Sequence, residues 1–320
     1  MKTFLTLIRR EFWEERGAFL TTPIVIGGMM ILFTLLALSA SVILVEKVNG
    51  EEFVVGMLVQ DIQEVDPRGV NGLLFAIAAI FNVALFFVMF FYLLGSLYDD
   101  RKDRSFLFWK SMPVSDIQTV LSKLVAATIM APLLMVACVA ATEIILLIIG
   151  TFIFWSADLS AWELLWSPAQ PLRVWSLLIG AYLVQALWML PVWGWLLLAS
   201  AFARSKPFLW AVVPPVLFAI LQSWFNLTQY LRWDNNWMWK LLGERFLGGV
   251  VPLALVFDSG DGTGNQILRF EDGELIEGEA PITFSALASR LVEADLWWGV
   301  LVGALFVTAA IFIRRWRDDS

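Results

Sequence analysis

Histidine is missing from all 320 residues, and cysteine occurs once, at Cys138. The first absence removes any triad or metal centre built on imidazole, and the second leaves no partner for an intrachain disulfide. Motifs that hold nucleotides or cut substrates are missing as well. No G-x-x-x-x-G-K-[ST] stretch cradles nucleotide phosphates, and neither G-x-S-x-G nor H-E-x-x-H occurs. The chain therefore reads as not an enzyme, with no cofactor of its own. Charge is sparse, at 16% of positions against about 25% in an average soluble domain. The basic residues are dispersed rather than gathered into a stripe, so no nucleic-acid partner is expected.

What fills the chain instead is apolar: 59% of positions are hydrophobic. A membrane-crossing helix needs about 20 consecutive apolar residues. Six stretches meet that length, at 24–45, 71–97, 124–154, 174–203, 208–227 and 296–313. The reading is an all-α integral membrane protein of six transmembrane helices, with an N-terminal interfacial helix over 1–22 and a six-span domain over 23–320. A short cytoplasmic helix falls between spans two and three, and a small extracytoplasmic insertion, 228–295, precedes the last helix.

Dividing the charges by side gives an orientation. With six spans, one side holds 14 of the 22 Lys and Arg and only 9 of the 29 Asp and Glu. The short connections carry the signal, through Arg204 and Lys206 between spans four and five and Arg314, Arg315 and Arg317 after span six. Positive residues stay inside, so both termini are expected in the cytoplasm, with the protein multi-pass in a cell or inner membrane. The N-terminal Lys2, Arg9, Arg10 and Arg16, with Ala37-Leu38-Ser39 before Ala40, resemble a signal peptide with its cleavage site. The apolar run continues through Val45, which is long enough to span and favours a retained helix.

At 100° per residue, Phe4, Leu5, Leu7, Ile8 and Phe12 share an arc, with Arg9, Arg10, Glu14 and Arg16 outside it. That pattern suits a surface anchor lying on lipid. Glu11 and Glu15 fall inside the apolar arc, which leaves open a second reading in which they face a protein. Thr22 before Pro23 predicts the start of the first spanning helix.

Two polar residues inside spans are candidates for an intramembrane site, Asn82 and Glu143. An interhelical hydrogen bond accounts for Asn82 as well as a substrate contact does. A carboxyl such as Glu143 must be paired, protonated or beside a polar cavity, since a charge there costs at least about 2.5 kcal/mol on insertion scales. Pro132, Pro191 and Pro214-Pro215 interrupt spans three, four and five. Tryptophans gather near segment ends, at Trp155, Trp162, Trp166, Trp233, Trp237, Trp239, Trp297 and Trp298, as an interfacial belt. Within 228–295, residues 241–257 are apolar but broken by glycines and Pro252, which predicts a re-entrant or interfacial element. A turn-rich tract at 258–265 lacks calcium-loop spacing. Residues 266–276, with Asp272-Gly273 in the middle, predict a hairpin, and Ser285 a short helix.

The one charged island between long apolar runs is 98–123. Asp99 to Arg104 is followed by Phe106, Leu107, Phe108 and Trp109, a polar turn and then an aromatic one. Pro113 stops that helix, because proline disfavours helix in the residue before it. Ser115 to Gln118 then matches a capping box that opens span three. On Asp100, Arg101, Ser105, Phe106 to Trp109, Pro113, Val114, Ser115 and Lys123, this stretch resembles the loop between the second and third spans of ABC-2 type transporter permeases. That family often has Glu where Asp100 stands and Gly where Arg104 stands. The layout of interfacial helix, six spans and broken segment before the last is similar too.

The resemblance implies a permease subunit of an ABC exporter, paired as a dimer with a second permease copy or homologue. It would be driven by separate ABC ATPase subunits that carry the ATP and Mg. Its coupling helix, in region 98–118, would dock on the ATPase through Asp100, Arg101, Lys102, Arg104, Ser105, Phe108, Trp109 and Pro113. The substrate would be hydrophobic or amphipathic. The rival expectation is a mechanochemical subunit that passes ATPase motion to an extracytoplasmic partner without moving a substrate.

Overall fold

A computed structural model describes residues 2–47, 67–103, 114–156, 158–227, 237–250, 268–271, 274–277 and 284–317. Six helical stretches are long and apolar enough to cross a membrane: Gly17–Ser39, Val70–Lys102, Asp116–Ser156, Trp162–Trp188, Pro207–Trp224 and Ala294–Trp316. The protein is a multi-pass membrane protein, helical apart from one small hairpin among the described residues. Two compact units emerge, the first from Met1–Glu15, Phe86–Pro132 and Gly180–Ser320, the second from Arg16–Leu85 and Leu133–Ile179.

The helices, in chain order, are α1 (Lys2–Glu14), α2 (Thr22–Lys47), α3 (Pro67–Lys102), α4 (Asp116–Val125), α5 (Ala131–Ser156), α6 (Pro171–Trp188), α7 (Leu190–Phe202), α8 (Pro207–Leu227), α9 (Trp237–Val250), α10 (Phe284–Val292) and α11 (Ala294–Arg317). Strands β1 (Leu268–Glu271) and β2 (Glu274–Glu277) pair antiparallel, with Glu271 opposite Glu274, as the Asp272-Gly273 turn predicts.

Prolines explain three local departures from regular helix. Proline lacks an N–H and its ring crowds the carbonyl four residues back. Ahead of Pro23 the chain is already helical, with a π-turn over Gly17–Thr21 and Thr22 in the α region, where the sequence predicts a helix start. The wider turn passes the N–H of Thr22 to the carbonyl of Gly17 and opens room before the ring. A second π-turn, Ala126–Met130, precedes Pro132 in the same way and joins α4 to α5.

The third departure corrects the expected fourth span: 174–203 is not one helix but α6 and α7, divided at Met189. Pro191 sits in the first turn of α7, where a missing N–H costs least, and it leaves no donor for the carbonyl of Leu187. A further correction concerns α9. Gly243, Gly248 and Gly249 lie within a continuous helix and do not break it, while Pro252 and the 258–265 tract lie outside the described residues.

In the first unit, α7 and α11 cross in backbone contact. A Cβ added at Gly303 would stand 2.6 Å from the carbonyl carbon of Leu190, and one at Gly194 would stand 2.7 Å from the carbonyl oxygen of Gly303. Small residues at such crossings let helices associate in lipid by close packing. Above the crossing Trp195 and Phe306 pack edge to face, 5.5 Å between ring centroids. Fully buried Trp193 packs against Phe86, which also meets Phe246 of α9. The α7–α8 hairpin is as tight as its four-residue connection, 203–206, requires. Lys206 takes a positive φ of 50°, Trp195 donates to the Ala211 carbonyl at 2.8 Å, and the Phe202 and Trp210 rings meet at 5.1 Å.

In the second unit, Asn71 of α3 fixes the approach to α6. Its amide donates to the Pro168 carbonyl at 3.1 Å and accepts from the Gln170 N–H at 3.0 Å. Val70, Leu147 and Ala169 form a small core there with Leu165 and Trp166. The Trp166 indole donates to Thr151 at 2.8 Å.

Candidate functional site

Four elements of the first unit bring charged groups together. Lys123 of α4 pairs with Glu11 of α1 at 3.2 Å and with Asp100 of α3 at 3.3 Å. Tyr92 of α3 donates its hydroxyl to the same Glu11 oxygen at 2.8 Å. Arg314 of α11 reaches Asp100 at 3.7 Å and donates to Asp116 of α4 at 3.2 Å. Glu11 is 1% exposed and Lys123 2%. Charges so buried persist only when paired and hydrogen-bonded, so the node fixes where these elements meet. Three carboxylates face two cations here. Glu15, half-buried beside them, is held above its ordinary value by burial and then by Glu11, with Lys123 opposing.

Each local structure puts its residue in place for a physical reason. Ser115 caps α4 by accepting from the Gln118 N–H at 3.2 Å, while the Gln118 side chain accepts from the Ser115 N–H at 3.3 Å. That predicted capping box starts the helix so that Asp116 and Lys123, seven residues or two turns apart, lie on one face. On α1, Leu7 and Glu11 are one turn apart and both buried, while Leu5 and Trp13 are exposed. Glu11, one of the two glutamates inside the apolar arc, therefore faces this chain's own helices.

Arg101 caps a different helix end. Its guanidinium donates to the carbonyls of Ser200 at 2.5 Å and Ala203 at 2.9 Å, where the last turn of α7 has no donors of its own. A cation at a helix C-terminus also complements the helix dipole. Ser200 in turn accepts from the backbone N–H groups of Leu97 and Tyr98, both at 3.0 Å. Lys102 is exposed. Arg104, Ser105, Phe108, Trp109 and Pro113 lie outside the described residues.

The two intramembrane candidates, Asn82 and Glu143, are both buried in the second unit, and no hydrogen bond joins them. Glu143 accepts from the Trp175 indole N–H at 2.6 Å. Among the described residues no group of three or more His, Cys, Asp or Glu side chains is placed to hold a metal ion.

No family model, curated protein or solved structure matches this chain. The assignment of a role therefore stands on the residues and their geometry.

Arg245 is a buried residue whose role the sequence does not disclose. From α9 it donates to the carbonyl of Trp188, at the α6–α7 division, and lies over the Trp188 ring at 3.9 Å from its centroid. It also donates to the Asp295 carbonyl at 3.0 Å, at the start of α11. Four residues along α9, the Gly249 carbonyl accepts from Gln185 at 2.5 Å. Together these bonds staple α9 across the broken α6–α7 pair. An arginine in a glycine-punctuated apolar stretch was the only visible signal, and sequence spacing gave it no partner.

Proposed function

We propose that this chain is the permease subunit of an ATP-driven ABC-2 type transporter that exports or flops a hydrophobic or amphipathic substrate. Separate ATPase subunits supply ATP and Mg and dock on the 98–118 region, and a second permease copy or homologue completes the membrane dimer. In this reading the termini and the docking region are cytoplasmic, in a cell or inner membrane.

One observation carries the reading: Asp100 and Lys123, matched on opposite flanks of the family-like loop, form a buried ion pair at 3.3 Å. That pair closes the two ends of the loop onto one base, to which Glu11 of α1 and Arg314 of α11 are also tied. A force applied at 104–113 then acts on α3, α4, α1 and α11 together. Bistable packed helices convert such a displacement into opening, rather than absorbing it in a slack loop. Arg101 anchors the same base to the end of α7, and exposed Lys102 is left to meet a partner.

The test is purification of the tagged full chain with its neighbouring ATPase, followed by reconstitution into liposomes. A soluble subunit bearing G-x-x-x-x-G-K-[ST] should co-purify in stoichiometric amount, and the permease should stimulate its ATP hydrolysis. Charge reversal of Lys102 and Arg104 to Glu should abolish that stimulation while leaving the permease in the membrane. Full stimulation by the doubly reversed variant would refute the docking assignment.

A further inference from the structure

Glu143 stands apart from the ionic node and has no part in the coupling proposal. Its side chain is 0% exposed. One oxygen, Oε2, accepts from Trp175 at 2.6 Å, and the other, Oε1, has no hydrogen-bond partner among the described residues. No lysine or arginine pairs with it there.

The elements around it bring no counter-charge. Beside Glu143, Thr142 of α5 faces Gly27 of α2, which also faces Phe81 of α3. Between Thr22 and Ser39 on α2, and between Val70 and Leu85 on α3, the sequence has no ionisable residue at all. On α5 the only other titratable group is Cys138, more than one turn away. On α6, Arg173 is exposed and donates to Gln170 at 3.1 Å.

An ionised carboxylate offers about four acceptor sites, and here one neutral N–H fills one of them. Membrane interiors tolerate a carboxyl when it is paired, wetted or neutral, and the surroundings of Glu143 supply no pairing cation. We infer that Glu143 is an intramembrane proton-binding site, a neutral carboxylic acid with its proton on Oε1 and its Oε2 held by Trp175. The acid form needs one acceptor for its O–H, so a solvent path or a basic group reaching Oε1 can take the proton away. Trp175 lies four residues into α6, about 6 Å from the helix start at 1.5 Å per residue. The Trp175 donor therefore sits about one turn from the start of α6, while Glu143 itself lies 13 residues from the end of α5 at Ser156.

Infrared difference spectroscopy of the full chain in lipid at neutral pH tests this. The wild-type spectrum minus that of Glu143→Gln should contain the C=O stretch of a protonated carboxylic acid, which moves in heavy water as O–H becomes O–D. Trp175→Phe removes the donor to Oε2 and should shift that band, which a purely packing role would not do. A difference spectrum showing a lost carboxylate pair in place of the acid band overturns the inference. Where Glu143→Gln does not fold, Trp175→Phe decides alone: a displaced acid band supports the site and an unmoved one refutes it.

Discussion

Replacing Lys123 by Met removes the cation that buried Glu11 and part-buried Asp100 share. Lys123 is 2% exposed, Glu11 1%, and the Lys123–Glu11 and Lys123–Asp100 separations are 3.2 and 3.3 Å. Breaking a buried ion pair by deleting one partner costs about 3–5 kcal/mol, mostly because the other charge is left buried alone. The node softens that cost in two ways. Asp100 keeps Arg314 at 3.7 Å, and Glu11 keeps the Tyr92 hydroxyl. The expected loss is then at the lower end, about 3 kcal/mol. Glu11→Gln in the Lys123→Met background removes the stranded charge, so the double variant should recover part of the loss, with a coupling of about 0.5–3 kcal/mol.

The assay is the rate at which detergent-solubilised protein loses its monodisperse form at fixed temperature, since large membrane proteins unfold irreversibly. Lys102→Met, at an exposed position two residues along α3 from the node's Asp100, is the control. Lys123→Met should lose its fold fastest, the double variant more slowly, and the control at the wild-type rate. Trypsin should also cut faster at Arg9 and Arg10 of α1 in Lys123→Met, because α1 is tied to α4 through this lysine. If Lys123→Met behaves like the control, or if the double variant loses its fold no more slowly than Lys123→Met, the node does not hold these helices.

Gly303→Ala should be more damaging than its single methyl suggests, because the new Cβ would meet the Leu190 backbone at 2.6 Å and force α7 and α11 apart. The check is the same thermal assay, with Ala304→Gly on the neighbouring face as the contrast. Glu15 gives a dependence on pH. Its folded form holds a proton more tightly than the unfolded chain does, through burial and Glu11. Its contribution to stability is therefore full below the ordinary carboxyl range and lost as pH rises through the higher folded value. Glu15→Gln should stabilise the protein at neutral pH, with the benefit fading in acid; equal benefit at both would contradict the assigned burial.

The number of spans was legible in the sequence because membrane length is a strict constraint, and six apolar runs satisfy it wherever the helix ends fall. The cap at Ser115 and the Asp272-Gly273 hairpin were legible for a similar reason, as local chemistry between near neighbours. Span four was misread because apolar composition runs unbroken through Met189, while the division depends on the missing N–H of Pro191 two residues on. The first helix start was misread for the complementary reason: a proline that ordinarily opens a helix is accommodated here by a π-turn. What no local pattern could reveal is partnership. Lys123 and Glu11 are 112 residues apart, and Arg245 and Trp188 are 57 apart.

Each of those residues nevertheless breaks the pattern of its own segment. Glu11 lies inside an apolar arc, Lys123 is buried at the start of a span, and Arg245 falls within an apolar stretch. In lipid a polar group that violates its local pattern must find a partner elsewhere in the fold. Such violations are therefore better pointers to long-range contacts than the pattern itself. The pointer is asymmetric, however, because Glu143 violates its segment as plainly as Lys123 does and, among the described residues, finds only an indole N–H. Two buried charged side chains with complementary partners make a joint. One carboxyl with half its oxygens satisfied makes a site that must take a proton or a ligand, and this difference in satisfaction, absent from the sequence, separates the mechanical part of the molecule from its proton-binding one.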